Sequence, residues 1–351
     1  MNNQNDILVS ICSITYNQAP YIRQCLDGFL MQETNFKFEI IIHDDCSTDG
    51  TTDIVREYAE KYPNLIVPIF QSVNQYQNGN TSILKTFVYP KARGKYFAIC
   101  EGDDYWIDPH KLQKQVDFME ANPDCTMTCT RAKLFSVREN RYIGEQYCRK
   151  SDGYLHPKDI INRTGLYMAT CSLVIRPWIK DNYPAYCTNC NVGDYPLKIT
   201  AAMKGSVYYF NDAMCVYRID NQASWYGQQK FGTIDPGRMK IVCGQVEMFE
   251  GFSRDFPEHT KIYSEKIAEH ICKNMPSWRC KKDDFIAYEN VFHNRIECFS
   301  FKWKVYYAIS KLRFPIVKYL YKNIFLRNYF HKRKYYGGSI KRYIRGLVSR
   351  L

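Results

Sequence analysis

The sequence predicts an α/β fold, a mostly parallel sheet flanked by helices, that continues into a helical and basic C-terminal extension. Two patterns carry this prediction: short apolar runs alternate with helical patterns over about the first hundred residues, and the patterns become helical again from about Gly232. Alternating strands and helices are typical of a parallel sheet covered by helices on both faces. A chain of 351 residues is long enough for one large domain or two small ones, each with a full core.

Four strands and two helices are predicted in the first part of the chain. The strands are short apolar runs at 7–14, 38–42, 65–70 and 96–100. Two segments between them carry apolar residues at helical spacing, namely Ile22, Cys25, Leu26, Phe29 and Leu30, then Ile54, Val55, Tyr58, Ala59 and Tyr62. Ligands of such sheets bind beyond the carboxyl ends of the strands, so the loops there are the first place to look for function.

The next region holds a third helix and further strands. Asp108 followed by Pro109 predicts a helix start, with an N-cap and then proline at the first helical position. Polar segments with Gly and Pro separate further predicted strands, at 126–135, 167–175, 207–210 and 214–219. A soft boundary near Phe231 divides the chain into a first domain, 1–231, and a helical region, 232–351.

Composition excludes several protein classes. Apolar residues make up 45% and charged residues 24% of the chain, which is ordinary for a globular protein and excludes a disordered one. The polar start and the lack of a long apolar run predict a cytosolic protein without a leader or a membrane span. Its 15 cysteines are expected to be reduced. The closest pairs, Cys125 with Cys129 and Cys187 with Cys190, lack a histidine at ligand spacing, which disfavours zinc.

Acidic residues crowd into two loops that follow predicted strands, at 43–50 and 101–106. Neighbouring carboxylates repel each other unless a cation or hydrogen-bond donors compensate them. Mg²⁺ or Mn²⁺ bridging a diphosphate is a natural occupant, because such ions take one or two carboxylates plus phosphate oxygens as ligands. Turn and cap formation is the alternative, and it explains the Ser, Thr and Gly of the first loop well. It explains the acid row Asp103-Asp104 poorly, and it explains Asp45 only in part.

Three short motifs follow one another in an informative order. They are Val9-Ser10-Ile11 through Thr15-Tyr16-Asn17, then Asp44-Asp45-x-Ser47-Thr48-Asp49-Gly50-Thr51, then Glu101-Gly102-Asp103-Asp104. Each is weak alone, but together they resemble the family 2 glycosyltransferases with the GT-A fold, over roughly residues 7–226. The resemblance implies a single-displacement, inverting transfer of a sugar from a nucleoside diphosphate donor, with a UDP-sugar expected.

The resemblance also implies that the first two motifs bind the nucleoside of the donor. Tyr16 would stack on the base, with Thr15 and Asn17 beside it in the same motif. Asp45 would hydrogen-bond the base, next to Asp44. Without the family match, a core position would be an equally good interpretation of the Tyr16 ring.

By the same resemblance, the third motif binds the diphosphate through a divalent cation, Mn²⁺ or Mg²⁺. Asp104 would ligate the metal, and Asp103 would hold the ribose or the metal. The segment 216–219 looks like the loop that closes over the diphosphate, where Arg218 is either a phosphate contact or a surface charge. Many relatives have a histidine next, whereas this chain has Asp220, which leaves a third metal ligand open.

An inverting transfer needs a general base that deprotonates the acceptor hydroxyl. The family usually places this carboxylate at the start of a helix in the second half of the domain. Asp194 fits, because Pro196 suits a first helical turn and apolar residues follow at helical spacing. A helix cap is the alternative role for Asp194, and Asp181 and Asp212 are spare carboxylates.

The excess positive charge lies at the C-terminus. Residues 302–351 hold 14 Lys and Arg and no Asp or Glu, while the rest of the chain holds 34 basic and 36 acidic residues. Amphipathic helices predicted at 315–327 and 339–351 favour binding to an anionic membrane surface, and packing on the first domain is the alternative. No nucleic-acid-binding motif accompanies these charges, so nucleic acid is not an expected partner.

These features together predict a cytoplasmic, metal-dependent hexosyltransferase held peripherally at the inner face of the plasma membrane. Its acceptor would be a lipid-linked glycan or oligosaccharide in surface polysaccharide biosynthesis, such as capsule or lipopolysaccharide. A catalytically inactive relative that binds sugar nucleotides is the first alternative, and a basic nucleic-acid-binding protein is the second. A dinucleotide oxidoreductase is disfavoured because no G-x-G-x-x-G follows the first strand.

Overall fold

The computed structural model describes residues 6–163, 167–188, 190, 193–221, 236–274, 282–300, 303, 304 and 307. They divide into two units, one made of the described residues up to 183 and those at 197–221, the other of those at 184–196 and from 236 onward. Apart from residues 303, 304 and 307, the basic segment predicted at 302–351 lies outside the described residues.

The first unit is built around one ten-stranded mixed sheet. Its strands are β1 (Ile7–Thr15), β2 (Lys37–Asp44), β3 (Ile66–Phe70), β4 (Tyr96–Ile99), β5 (Tyr105–Trp106), β6 (Cys125–Ser136), β7 (Arg141–Gln146), β8 (Gly153–Tyr154), β9 (Val174–Ile175) and β10 (Ser206–Ile219). They lie in the order β3-β2-β1-β4-β9-β6-β10-β5, with β7 beside β6 and β8 beside β10. The strands β3, β2, β1 and β4 are parallel, as are β6 and β10. The short strands β5, β7, β8 and β9 are antiparallel to their neighbours.

Eight α-helices are described. They are α1 (Ala19–Leu30), α2 (Thr51–Lys61), α3 (Lys111–Ala121), α4 (Pro157–Asn162), α5 (Asp194–Lys204), α6 (Pro236–Asp255), α7 (Thr260–Lys273) and α8 (Lys282–Glu297). A π-helical turn covers Leu84–Val88, and short 3₁₀ turns cover Tyr89–Lys91, Thr170–Ser172, Pro177–Ile179, Ala185–Cys187 and Pro257–His259. In the part of the chain that the structure describes, no helix is both long and apolar enough to cross a bilayer.

The core of the first unit lies between the sheet and helices α1, α2 and α3. The helix face predicted for α1 is buried, and side chains of β1, β2 and β4 pack against it, including Val9, Ile11, Ile40, Ile42 and Ala98. Burying one such aliphatic side chain contributes about 1.5–3 kcal/mol. Trp106 fixes the short strand β5 in this core, since its indole N–H donates to the Cys171 carbonyl (2.8 Å) and its ring lies 4.7 Å from Phe29. The second unit has a core of its own around Val246, Ile271 and Phe292.

The α/β prediction is confirmed, but three predicted elements differ. The strand predicted at 167–175 is reduced to the two-residue β9, which follows a 3₁₀ turn at Thr170–Ser172. In this turn Ser172 donates its hydroxyl to the Ala169 carbonyl (2.7 Å), a local bond that competes with a ladder. The strands predicted at 207–210 and 214–219 form one continuous strand, β10, with an irregular register between them.

The third difference is the start of α3. This helix begins at Lys111 and not at Pro109, because the Asp108 carboxylate accepts from the His110 N–H (2.8 Å) and closes a turn before the helix. The Gln32 side chain, at the end of α1, accepts from the Leu112 N–H (3.0 Å) and so satisfies one donor of the first helical turn.

The first residue of α3 carries a buried amine. Lys111 is fully buried, its Nζ lies 4.1 Å from the centre of the Trp106 ring, and this atom has no hydrogen-bond partner among the described residues. Burial lowers the pKa of Lys111 from 10.5 to about 8. The ring attracts the cation, but the lowered pKa shows that desolvation has the larger effect.

Replacing this amine should stabilise the protein. Lys111→Met should raise the free energy of unfolding at pH 7, because the folded chain no longer buries a charge. The gain should shrink between about pH 8 and 10.5, because there the unfolded wild type still binds the lysine proton and the folded one does not, so wild-type stability rises with pH. Urea unfolding at several pH values measures both effects.

Lys114→Met is the matched control, since Lys114 is exposed on the same helix. A gain for Lys111→Met that stays constant across this pH range would contradict a low pKa for the buried amine.

Candidate active site

The loops after β1, β2 and β4 meet at one edge of the sheet. The Asn17 N–H, after β1, donates to the Ser47 hydroxyl after β2 (2.9 Å), and the Thr48 N–H donates back to Asn17 Oδ1 (2.8 Å). The Gly102 N–H, after β4, donates to the Ile14 carbonyl (2.9 Å). The structure therefore brings together the three motifs that the sequence analysis singled out.

Close packing of side chains against Gly102 shapes the part of this edge that follows β1. A Cβ on Gly102 would lie 2.8 Å from Thr15 Cβ and 2.5 Å from Gln18 Oε1, so only glycine fits there. The Thr15 hydroxyl donates to the same Gln18 oxygen (2.9 Å). Tyr16 is half-buried, and Asn17 has a left-handed backbone (φ 51°), which asparagine tolerates. The result is a closely packed surface on which the Tyr16 side chain is partly accessible.

Asp44 holds the start of α2. It is buried, and its two carboxylate oxygens accept hydrogen bonds from the hydroxyls of Ser47 and Thr52, both at 2.5 Å. Gly50 has φ +99° directly before the helix, a conformation that favours glycine. These contacts are turn and cap chemistry, which is the alternative that the sequence analysis left open for Ser47 and Gly50.

Asp45 binds a neighbouring loop through its carboxylate. Its Oδ1 accepts from the Gln75 N–H (2.8 Å), its Oδ2 accepts from the Tyr76 N–H (3.1 Å), and its carbonyl accepts from the Asn74 side chain (3.1 Å). The segment 74–76, after β3, therefore belongs to this edge. The sequence analysis missed it, and the only available signal was its position after a predicted strand.

Two buried carboxylates follow β4. Asp103 is 5% exposed and Asp104 is 1% exposed. The Asn221 side-chain amide donates to Asp103 Oδ2 (3.1 Å), and the Arg218 backbone N–H donates to Asp104 Oδ1 (2.8 Å). Within the described part of the chain, the second oxygen of Asp104, Oδ2, is buried and has no hydrogen-bond partner. One of the two Asp104 oxygens therefore has no hydrogen bond from the described residues that would offset the loss of solvent.

Burial shifts the pKa of both carboxyl groups. Desolvation raises the pKa of Asp103, while the Asn221 hydrogen bond opposes the shift. Desolvation also raises the pKa of Asp104 well above its usual range, and the adjacent charge of Asp103 raises it further. Burial therefore makes the ionised form of both carboxyls less favourable than in water, and a bound cation would offset this cost.

This donor set fits a divalent cation that a substrate helps to bind. Among the described residues, no group of three or more His, Cys, Asp or Glu side chains could hold a metal ion by itself, and the described cysteines are free thiols. Mg²⁺ at phosphate sites typically takes only one or two carboxylates, with phosphate oxygens and water as further ligands. The unpartnered Oδ2 of Asp104, next to Asp103, can supply that part of the coordination shell.

Arg218 connects the acid pair to helix α1. Its guanidinium donates to the Asp103 carbonyl and to Gln24 Oε1, and it lies between two rings, 4.9 Å from the centre of Tyr21 and 4.6 Å from that of Tyr105. It is only 8% exposed, so it is not a free surface charge. The sequence analysis named Arg218 but not these partners, which lie far away along the chain.

One residue shortly after Arg218 also contacts the acid pair. Asp220 has a left-handed backbone (φ 62°) and accepts from the Ser136 hydroxyl (3.0 Å). Asn221, which contacts Asp103, is a site residue that the sequence analysis did not select. Its signal was its place two residues after the Tyr-Arg-Ile segment.

Three further carboxylates were considered for the general base. Asp194 is the first residue of α5, as predicted, and is half-buried. Asp212 forms an exposed ion pair with Lys114, and Asp181 is exposed. The local structure at Asp194 is therefore the helix start that the sequence predicted.

Comparison with known proteins identifies relatives of the first unit. Residues 10–181 match the family described as Glycosyl transferase family 2. An uncharacterized protein of Mycobacterium tuberculosis (strain ATCC 25618 / H37Rv) is 35% identical over 221 residues, 62% of this chain and 60% of that protein. A poly(ribitol-phosphate) beta-glucosyltransferase of Bacillus spizizenii is 33% identical over 115 residues, 32% of this chain and 17% of that protein. The chain thus spans less than two thirds of the length of these relatives.

Solved structures share the fold. S. aureus TarS 1-349 in complex with UDP-GlcNAc aligns with a TM-score of 0.60 and 18% identity, covering 89% of this chain and 87% of that one. A mannosyltransferase, PcManGT from Pyrobaculum calidifontis, in complex with GDP-Man and Mn²⁺, aligns with a TM-score of 0.50 and 17% identity, covering 91% of this chain and 84% of that one. The predicted GT-A fold is confirmed, and residues 10–181 form a family 2 glycosyltransferase domain.

Proposed function

We propose that this protein transfers a sugar, with inversion, from a nucleoside diphosphate donor to a hydroxyl of a glycan acceptor in the synthesis of a cell-surface polysaccharide. The observation that carries the proposal is the buried acid pair after β4, in which Asp104 Oδ2 has no partner among the described residues. UDP-GlcNAc in the TarS structure supports a UDP-sugar donor, and the Bacillus glucosyltransferase supports a surface-polymer acceptor.

The edge after β1 and β2 is the proposed nucleoside site. Tyr16 would stack on the base, and the Thr15 and Asn17 backbone would shape the site beside it. Asp45 would accept a hydrogen bond from the base while still binding segment 74–76, because a carboxylate has about four acceptor positions and the two N–H groups of that segment use two. Asp44 would support this site by fixing the turn before α2.

The acid pair is the proposed diphosphate site. Asp104, with Asp103, would hold Mn²⁺ or Mg²⁺, and such an ion supplies charge stabilisation to the leaving diphosphate when it is bound. The Arg218 N–H and the Asn221 amide orient the two carboxylates by occupying one oxygen of each. The Arg218 guanidinium adds a fixed positive charge beside them and is the proposed phosphate contact from this chain.

Asp194 is the proposed general base. The acceptor oxygen would attack the anomeric carbon, the bond from that carbon to the diphosphate would break with its electron pair, and Asp194 would take the hydroxyl proton. Its position at the start of α5 is the one that the family resemblance implies for the base.

The basic segment 302–351 is the proposed membrane contact. Its charge and amphipathic pattern support peripheral attachment at the cytoplasmic face of an anionic membrane, close to a lipid-linked acceptor. A catalytically inactive relative is the competing function. Metal-dependent release of UDP from UDP-sugars, measured with the full chain and a panel of donors, separates an active enzyme from a binding protein.

Asp104→Asn should abolish turnover and Mn²⁺-dependent UDP binding. The neutral amide keeps the shape and the Arg218 contact but cannot compensate a cation, and it should not unfold the chain, because burial already disfavours the charge of Asp104. Calorimetry of UDP with and without Mn²⁺ measures the loss. Asp53→Asn is the control, since Asp53 is exposed on α2 and pairs with Arg56. Wild-type affinity in Asp104→Asn would refute the proposed metal ligand.

Asp194→Asn should lower kcat by roughly two to four powers of ten, the usual contribution of a general base, with donor affinity nearly unchanged. The amide retains much of the capping ability but cannot take the proton. Asp181→Asn and Asp212→Asn are the controls and should keep normal rates. A normal rate in Asp194→Asn, with a slow rate in either control, would move the base to another carboxylate.

Arg218→Lys should destabilise the acid pair. The ammonium cannot reach both the Asp103 carbonyl and Gln24 while lying between two rings, so the free energy of unfolding should fall by about 1–3 kcal/mol and UDP affinity should fall with it. Urea unfolding and calorimetry measure the two effects. Arg23→Lys, at an exposed ion pair with Glu57, is the control and should change neither. Equal stability of Arg218→Lys and Arg23→Lys would contradict the proposal that the Arg218 guanidinium stabilises the acid pair.

A further inference from the structure

An open cavity lies on the hairpin formed by β6 and β7. Its volume is about 350 Å³, and it is lined by Lys133, Tyr142, Gly144 and Glu145. The cavity is open to solvent, so a ligand there would be contacted on one side and not enclosed. None of its lining residues belongs to the donor site proposed above.

The aromatic wall of this cavity is fixed but accessible. Tyr142 is 51% exposed, although its hydroxyl hydrogen-bonds that of Tyr105 (3.0 Å) and its ring packs edge-on against Phe135 at 5.3 Å between centres. These two contacts hold the ring in place although half of the residue is exposed to solvent. A ring that is held in place loses little entropy when a ligand stacks on its free face.

The cavity wall is connected to the acid pair through direct contacts. Tyr105, which holds Tyr142, directly follows Asp104 in the chain and lies 4.6 Å from the Arg218 guanidinium. The strand register agrees, because Val216 of β10 pairs with Tyr105 on one side and with Lys133 on the other. Paired residues lie on the same face of a sheet, so Tyr105 and Lys133 share the face that carries the cavity.

The polar groups around the ring suit a hydroxyl-rich ligand. Lys133 and Glu145 are cross-strand partners, so the cavity wall offers one donor group and one acceptor group. The Lys133 amine lies 5.8 Å from the Tyr142 ring centre, and one oxygen of Glu145 binds Arg131 (2.9 Å). An aromatic face flanked by a hydrogen-bond donor and an acceptor is suited to a sugar ring, with apolar C–H groups on one face and hydroxyls at its rim.

We propose that this cavity is the subsite for a sugar ring of the glycan acceptor, with Tyr142 as its stacking platform and Lys133 and Glu145 as its hydroxyl contacts. The assignment rests on the proposed function, because it names where the acceptor of that reaction binds. It adds a binding role for three residues that the donor site does not use.

Saturation-transfer NMR on the full chain tests the subsite with methyl glycosides of glucose, galactose, mannose and N-acetylglucosamine as probes. These compounds lack a nucleotide and so do not report on the donor site. The wild type should give a signal with at least one probe, and Tyr142→Ala should weaken it about tenfold or more. Tyr142→Phe keeps the ring and should keep most of the signal.

Tyr154→Ala is the matched control, because Tyr154 is 50% exposed and its strand pairs with the other end of β10. It should bind the probes as the wild type does. No signal from the wild type, or equal signals from Tyr142→Ala and the wild type, would overturn the subsite. UDP calorimetry on the same samples tells the two proposals apart: wild-type UDP binding in Tyr142→Ala leaves the donor site intact, whereas no UDP binding by any sample counts against the proposed function itself.

Discussion

The burial of two adjacent carboxylates after β4 is the constraint on which the rest of this site depends. Ionised carboxylates in a low-dielectric interior are costly unless hydrogen bonds or cations compensate them. Two hydrogen bonds supply part of that compensation. The Arg218 N–H of β10 donates to Asp104, and the Asn221 amide, two residues after β10, donates to Asp103. Arg218 adds its own charge while it is held between the Tyr21 and Tyr105 rings. What remains uncompensated among the described residues, Asp104 Oδ2, is the place where a cation would have the largest effect.

The mixed sheet explains how the two halves of the site meet. The parallel strands β3, β2, β1 and β4 end at the edge that carries the loops of residues 15–19, 44–51 and 101–104. The second half reaches the same edge through β10, which pairs with β6 in parallel and with the short strand β5 in the antiparallel direction. Because β5 starts directly after Asp104, this pairing places Arg218 against the acid pair. The parallel strands therefore carry the proposed donor loops. The antiparallel strands β5 and β7 position the acid pair and form part of the cavity wall.

The sequence could predict the features that depend on residues close together in the chain. The strand-helix alternation, the loops at strand ends and the acid row at Asp103 and Asp104 all follow from local patterns, and the structure places the three motifs at one edge. It could not predict the contacts that long-range pairing creates, such as segment 74–76 on Asp45 or Tyr142 on Tyr105. The strand predicted at 167–175 was wrong for a related reason, since a hydroxyl bond to the local backbone outweighs apolar composition there. The roles of Asp194 and of the C-terminal segment remain predictions.

The central claim is that Asp104 Oδ2 is a metal ligand once a nucleoside diphosphate is bound. A crystal structure of the full chain grown with UDP and Mn²⁺, with anomalous data collected at the manganese edge, tests it directly. The account predicts one strong anomalous peak within coordination distance of Asp104 Oδ2, with diphosphate oxygens completing the shell and the Arg218 N–H still on Oδ1. A diphosphate bound at this edge with no manganese on Asp104, or a manganese peak bound to other side chains, would contradict it.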